Sequence, residues 1–320
     1  VRRRSSAALS LLLYAACAHA GSVFPSSPFS DKAAGTTSAA FLKLPNGARY
    51  EALGGAGAAL VEGADSLFWN PAGLGRFDAE TPSDLSLSYS RLLEDSYTGA
   101  VAYAHPRVGP GSLAVGLVYF SQSSLTSYSS VGDATGSFTP NDQAFSVGYG
   151  LTAGPVRAGA ALKLVRQSLA DQSGATAAVD LGIQSDRVAD IGDGPLDVGA
   201  SLSNLGPPLK LGSEASPLPF SARGGGVWHA SPNFNALLDV VLPVDDSPFV
   251  VLGAEAFMKQ PGWTGFLRLG FSQQRTRGVD GFSGFTAGGG LDLKSFRLDY
   301  AWVPYGDLGM TNRITLAFRF

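Results

Sequence analysis

The chain has 320 residues, a formal net charge of −3, 41 glycines and only 15% charged residues. A near-neutral balance supplies no field that would draw nucleic acid, and past the first twenty residues no apolar run reaches the length of about 18 that a membrane helix needs. Abundant glycine with sparse charge is unlike a soluble helical domain and suits a β-rich chain with many turns.

The first segment is a targeting sequence. Arg2, Arg3 and Arg4 form a positive n-region, "AALSLLLYAA" is a short apolar core, and "AHA" before Gly21 is a small-x-small cleavage site, so residues 1–20 read as a secretory signal peptide. Val1 fits an alternative start codon or a truncated chain equally well. Cys17 could be read as a lipoprotein cysteine, but Tyr14 is a poor residue three places before one and "AHA" is the better processing site. Cys17 is the only cysteine, so the exported chain would carry no disulfide framework.

Residues 41–75, "FLKLPNGARYEALGGAGAALVEGADSLFWNPAGLG", do not alternate and are weakly helical. "GAG" at 55–57 lacks the third glycine of a dinucleotide fingerprint, Leu60 standing there, and no buried strand precedes it. Locally, Asn70 reads as the start of a turn with Pro71 at the first position of a helix.

From about Ser83 the period changes to two. Fourteen alternating runs lie near residues 83–92, 96–105, 111–121, 142–152, 154–168, 175–185, 195–204, 218–229, 233–242, 248–257, 262–271, 281–292, 294–303 and 310–320. In the last, Ile314, Leu316, Phe318 and Phe320 share one face and Arg313, Thr315, Ala317 and Arg319 the other. Each run is long enough to cross a bilayer at the tilt barrels use, about 9–11 residues. Short turns ("HPRVGPG", "AGP", "ASPN", "KQPG", "LKS") alternate with longer loops, the pattern of outer-membrane barrels, and an even strand count returns both barrel ends to the periplasm. Two connections break the rule: "DRVADIGDGP" is long for its side and "LED" short for the other.

In a soluble sandwich or propeller the apolar faces would pack on each other and charge would meet water. Here the second face is rich in Gly, Ser, Ala and Thr, with one or two charges per strand, too few for full solvation. Arg157, Lys163, Asp180, Arg223, Asp239, Glu255, Arg268, Arg297, Asp299 and Arg313 would point into one lumen, where neighbouring strands could pair them, while the apolar face meets lipid. Trp228, Trp263 and Trp302 fall at strand ends, where an aromatic girdle would sit. The expectation is an all-β fold: a fourteen-stranded antiparallel transmembrane β-barrel over residues 83–320, in contact with outer-membrane lipid.

No site for chemistry emerges. His105 and His229 are far apart with no carboxylate at ligand spacing and read as surface or interface residues. Asp245 and Asp246 read as solvated acids in an outer loop. No nucleophile elbow, zinc-protease helix or P-loop is present, so no enzyme activity, metal or cofactor is expected.

The chain resembles PorV/PorQ-type outer-membrane proteins, which belong with the wider FadL-like barrels. The likeness runs from Phe41 through "GAR" at 47–49, "ALGGAGAAL" at 52–60 and "FWNPAGL" at 68–74, continues in "NLGPPLKLGSEASPLPFSAR" at 204–223 and ends in "GDLGMTNRITLAFRF". It departs where the family's paired aspartates are Glu62 and Gly63 and where a common histidine is Asn312. The resemblance implies that the N-terminal segment, within residues 21–82, folds into the lumen as a short, partly helical plug. Phe68, Trp69, Asn70, Pro71, Ala72, Gly73 and Leu74 would then contact the inner wall, with the glycines at 54, 55 and 57 permitting close approach. It also implies a non-enzymatic role in protein export to the cell surface, with secreted or secretion-system proteins as partners in type IX-like secretion. The alternative is a FadL-like transporter with a hydrophobic ligand in the lumen.

Overall fold

The computed structural model describes residues 22–77 and 80–320; the expected signal peptide and Cys17 lie outside them. The strands run in chain order as β1 (Asp84–Arg91), β2 (Ser96–Val108), β3 (Gly111–Gln122), β4 (Leu125–Tyr128), β5 (Ala134–Phe138), β6 (Asn141–Ala153), β7 (Val156–Leu169), β8 (Gln172–Ile191) and β9 (Gly194–Leu205). They continue as β10 (Leu209–Leu211), β11 (Glu214–Ser216), β12 (Ser221–Ser231), β13 (Phe234–Pro243), β14 (Phe249–Gln260), β15 (Trp263–Ser272), β16 (Phe285–Asp292), β17 (Phe296–Pro304) and β18 (Met310–Arg319).

Fourteen of these close into one antiparallel barrel, with β1 bonded to both β2 and β18. Each alternating run in the sequence corresponds to a barrel strand, because the two faces meet different media. Leu162, Leu164, Leu181, Ile183, Leu267, Leu269 and Ile314 stand exposed on the outside, while Lys163, Asp180, Gln184, Arg268 and Arg313 are buried inside. Closure satisfies every ladder group without water, which is what a lipid exterior requires. Trp228 and Trp263 sit towards the end that carries Asp84 and Phe320, and Trp302 near the opposite rim beside Phe282. The end with Asp84 and Phe320 carries the short turns and is the periplasmic end.

The two irregular connections have structural explanations. "DRVADIGDGP" is mostly strand: β8 continues to Ile191, stays paired with β9 through a bulge between Ser185 and Ala189, and turns over Gly192 and Asp193. "LED" suffices because Glu94 and Asp95 both adopt positive φ and close β1 onto β2 tightly. At the outer rim the β4–β5 and β10–β11 pairs form two small hairpins. The second folds inward, so that Leu209 and Leu218 are buried against Phe41.

Residues 22–77 occupy the lumen from rim to rim. Residues 29–38 cross the outer mouth, where the Phe29 amide donates to the Val244 carbonyl (2.9 Å) and that of Ser38 to Pro217 (2.8 Å). Two short helices follow, α1 (Ala48–Ala52) and α2 (Ser66–Trp69), and then a 3-10 turn, Pro71–Arg76, near the periplasmic end. A closed barrel with an apolar exterior should stay in the membrane through a carbonate wash and migrate differently in SDS before and after boiling. Release into the wash, or identical migration, would contradict this fold.

Candidate functional site

The lumen has two unlike halves. On β3, β6, β7 and β8 a patch of small inward residues, Gly116, Gly148, Gly150, Gly159, Ala161 and Gly182, lies among the longer Arg157, Lys163, Asp180 and Gln184. The Pro71–Arg76 turn packs directly on this wall. A methyl group on Gly159 would lie 2.2 Å from the Pro71 carbonyl oxygen, and one on Gly182 1.9 Å from Asn70 Oδ1, so only glycine admits the plug there. Asn70 is the anchor. Its Oδ1 accepts from the Ala72 amide (3.2 Å), capping the turn that Pro71 opens, and its Nδ2 donates to the carbonyls of Ala58 (2.7 Å), Ile183 and Ala200 (both 3.3 Å). Ala72, Gly73 and Leu74 are fully buried, Leu74 with Leu67 among Ala102, Ala104, Ala114 and Ala161. Phe68 touches the three apolar clusters of the lumen.

The other half, on β14 to β18, carries charge. Arg268 lies between Glu255 (2.6 Å) and Asp299 (2.7 Å), and Arg297 reaches Asp299 (2.8 Å). Elsewhere Lys163 pairs with Asp180 (2.6 Å), Arg223 with Asp239 (3.0 Å), and Arg157 with Asp186. Pairing among neighbouring strands is only part of the arrangement, because the plug supplies the remaining partners. Arg49 reaches Glu255 (3.3 Å) and Glu62 (2.8 Å), Glu51 reaches Arg275 (2.7 Å) and Arg313 (3.3 Å), and Asp65 faces Arg297 at 3.6 Å. Asp239 also accepts from the amides of Gly57 (2.9 Å) and Ala58 (3.0 Å). Removing one member of such a buried pair strands the other and costs about 3–5 kcal/mol.

Trp69 faces the third side. Its Nε1 donates to the Asn46 carbonyl (2.6 Å), and the Arg223 guanidinium lies 5.4 Å from its ring centroid. Beside it a cavity of about 160 Å³ lies between plug and wall, lined on its apolar side by Leu42, Leu44, Phe68, Trp69, Val241 and Phe249 and otherwise by polar groups, among them the charged Lys43, Glu51, Lys163, Arg223, Asp245 and Arg275.

The glycines at 54, 55 and 57 all bring plug backbone to the wall: a methyl group on Gly54 would lie 2.6 Å from the Phe271 amide nitrogen, the Gly55 carbonyl accepts from Arg223 (2.7 Å) and the Gly57 amide donates to Asp239 (2.9 Å). His229 is a third exposed and faces the lumen between Asp197 (3.0 Å) and Asn235 (2.8 Å). His105 lies on the outer face beside Tyr103 and Ser83. Asp245 is buried, not solvated, because the N-terminal segment covers it and brings Thr37 and Lys43 (2.9 Å) to its carboxylate. Asp246 accepts from Gln274 and Arg277. Arg49, Tyr50, Glu51 and Asp65 were missed. The only signal for them was that Arg49, Glu51 and Asp65 are charges, like Lys43 and Glu62, in a largely apolar plug sequence.

Trp69→Ala should leave a void and loosen the plug by about 3–5 kcal/mol, read as faster hydrogen exchange in residues 45–77 with the heat-modifiable band retained. Loss of the barrel itself would contradict the division between ladder and plug. Deleting residues 41–75 should turn a nearly closed channel into an open one in planar bilayers. Equal conductance before and after would show that these residues do not close the lumen.

No family model matches the sequence, and no curated protein matches it. Solved structures do match. The toluene transporter TbuX of Ralstonia pickettii is 16% identical, with 86% of this chain and 98% of that one covered and a TM-score of 0.56. For the toluene transporter TodX of Pseudomonas putida the values are 12%, 84%, 95% and 0.57. For a FadL homologue of Pseudomonas aeruginosa they are 10%, 87%, 99% and 0.53. The chain therefore has the fold of FadL-like barrels, and its apolar exterior and charged interior place that fold in the outer membrane.

Proposed function

We propose that the protein is a plugged outer-membrane channel that admits uncharged hydrophobic small molecules and catalyses no reaction. The observation that carries this reading is the cavity beside Trp69. Its volume of about 160 Å³ is comparable to the roughly 150 Å³ at which an apolar protein cavity holds benzene. Its apolar border comes from both plug and wall, so a ligand there would touch the part of the structure that has to respond to it.

The charges at its edge argue for a neutral occupant. Lys43 is paired with Asp245 (2.9 Å), Lys163 with Asp180 (2.6 Å), Arg223 with Asp239 (3.0 Å) and Arg275 with Glu51 (2.7 Å). A carboxylate ligand would have to displace an acid already in place, whereas an uncharged ring displaces nothing. That TbuX and TodX, which share this fold, are toluene transporters supports the same direction. The protein-export role implied by the PorV/PorQ resemblance draws no support from the lumen, and it would show itself separately, as a changed surface proteome in a deletion strain.

Purified protein should bind toluene saturably and a long-chain fatty acid carboxylate far less, and Trp69→Ala should weaken toluene binding by about tenfold, or ~1.4 kcal/mol. Tight fatty-acid binding with no toluene binding would overturn the proposal.

A further inference from the structure

A second cavity, of about 600 Å³, opens at the periplasmic end and is bordered by Glu62, Gly63, Arg76, Phe77, Asp84 and Arg297. Tyr50 lines neither cavity but lies between residues that line each. Its ring lies 5.2 Å, centroid to centroid, from that of Trp69, which lines the outer cavity. Its hydroxyl accepts from the amide of Glu62, which lines the inner one, at 3.4 Å. Tyr50 itself has no exposed surface. Arg49 completes the layer, its guanidinium 5.8 Å from the Tyr50 ring centroid and its donors on Glu62 and Glu255.

Opening a path by expelling the plug would break the ion pairs of Arg49, Glu51 and Asp65 together with the hydrogen bonds of Asn70. Displacing the Tyr50 ring breaks one long hydrogen bond, the contacts with the Trp69 ring and the Arg49 guanidinium, and apolar packing in the cluster that holds Leu53, but no ion pair. The second is the smaller change by a wide margin, since each broken buried ion pair strands a charge and a ring contact is a weak interaction.

We propose that the Tyr50 side chain is the gate between the outer cavity and the periplasmic vestibule, so that a neutral molecule passes the layer it closes while the rest of the plug stays clamped. This rests on the small-molecule reading of the outer cavity. The gate and that reading are tested by different readouts.

Single-channel conductance of the full-length protein in planar bilayers tests the gate, with Cys17→Ser as the background for a cysteine variant. Tyr50→Ala and Tyr50→Cys should change a closed channel into one with a discrete open conductance, while Tyr50→Phe, which keeps the ring, stays closed. A bulky thiol reagent should shut the Tyr50→Cys channel again, and protease should leave the plug intact in each variant. Tyr50→Ala and Tyr50→Cys channels as closed as the parent would overturn the proposal. If protease shows that Tyr50→Ala has freed the plug, the cysteine variant decides: block by the reagent supports the gate, and no block overturns it. Open Tyr50→Ala channels in a protein that binds no toluene would support the gate and remove the small-molecule reading. Toluene binding with Tyr50→Ala closed would overturn the gate alone.

Discussion

The controlling constraint is that this barrel buries charge. With lipid outside, the apolar face of every strand turns outward and the polar face turns in. An ionised group withdrawn from water needs a partner close by. Arg268 finds two on neighbouring strands, Glu255 and Asp299, but Arg313 finds Glu51 and Glu255 also takes Arg49, both from the N-terminal segment. Wall and plug are therefore one electrostatic unit, and the plug's path through the lumen is set by where the wall has charge left to satisfy.

The barrel was legible because its signal is local. A period of two shows wherever the two sides of a strand meet different media, so the strands appeared in the sequence as alternating runs. The signal fails where that difference ends: the periplasmic part of β8, with Asp186, Arg187 and Asp190, has no lipid face and reads as a loop although it is paired with β9. The Asn70–Pro71 cap was legible for the same local reason. The partners of Arg49, Glu51 and Asp65 were not, because they lie some two hundred residues away in sequence, at Glu255, Arg275, Arg313 and Arg297, and no local pattern encodes such a meeting. Asp245 was misread for that reason too, since the segment that encloses it comes from elsewhere in the chain.

The two halves of the lumen hold the plug by different physics. Against β6, β7 and β8 the hold is steric: backbone lies on backbone at Gly159, and Asn70 fills the space that Gly182 leaves. Against β14 to β18 it is electrostatic, through α1 and Asp65. The cavities lie at the margins of these contacts: the outer one is lined by Val241 of β13, Phe249 and Val251 of β14 and Lys163 of β7, and the inner one by Asp84 of β1, Arg297 of β17 and Arg319 of β18. On the small-molecule reading proposed above, the route runs past Trp69 and Tyr50 while the rest of the plug remains fixed.

The strength of attachment also changes along the plug. At the outer rim the segment that roofs the cavity, Leu42–Asn46, is tied through Lys43, whose side chain is 43% exposed, to Asp245, and through backbone bonds from Phe29 and Ser38. Lys43 is half exposed, and Asp245, buried beneath it, keeps a hydrogen bond from Thr37 when Lys43 leaves. Deeper in the barrel both members of the pairs of Glu51 with Arg313 and Arg49 with Glu255 are enclosed, and loss of one partner costs about 3–5 kcal/mol. On the small-molecule reading proposed above, an entrance tied more loosely than the contacts beneath it lets a ligand reach the cavity from the extracellular side while the enclosed pairs below keep the membrane closed to solvent.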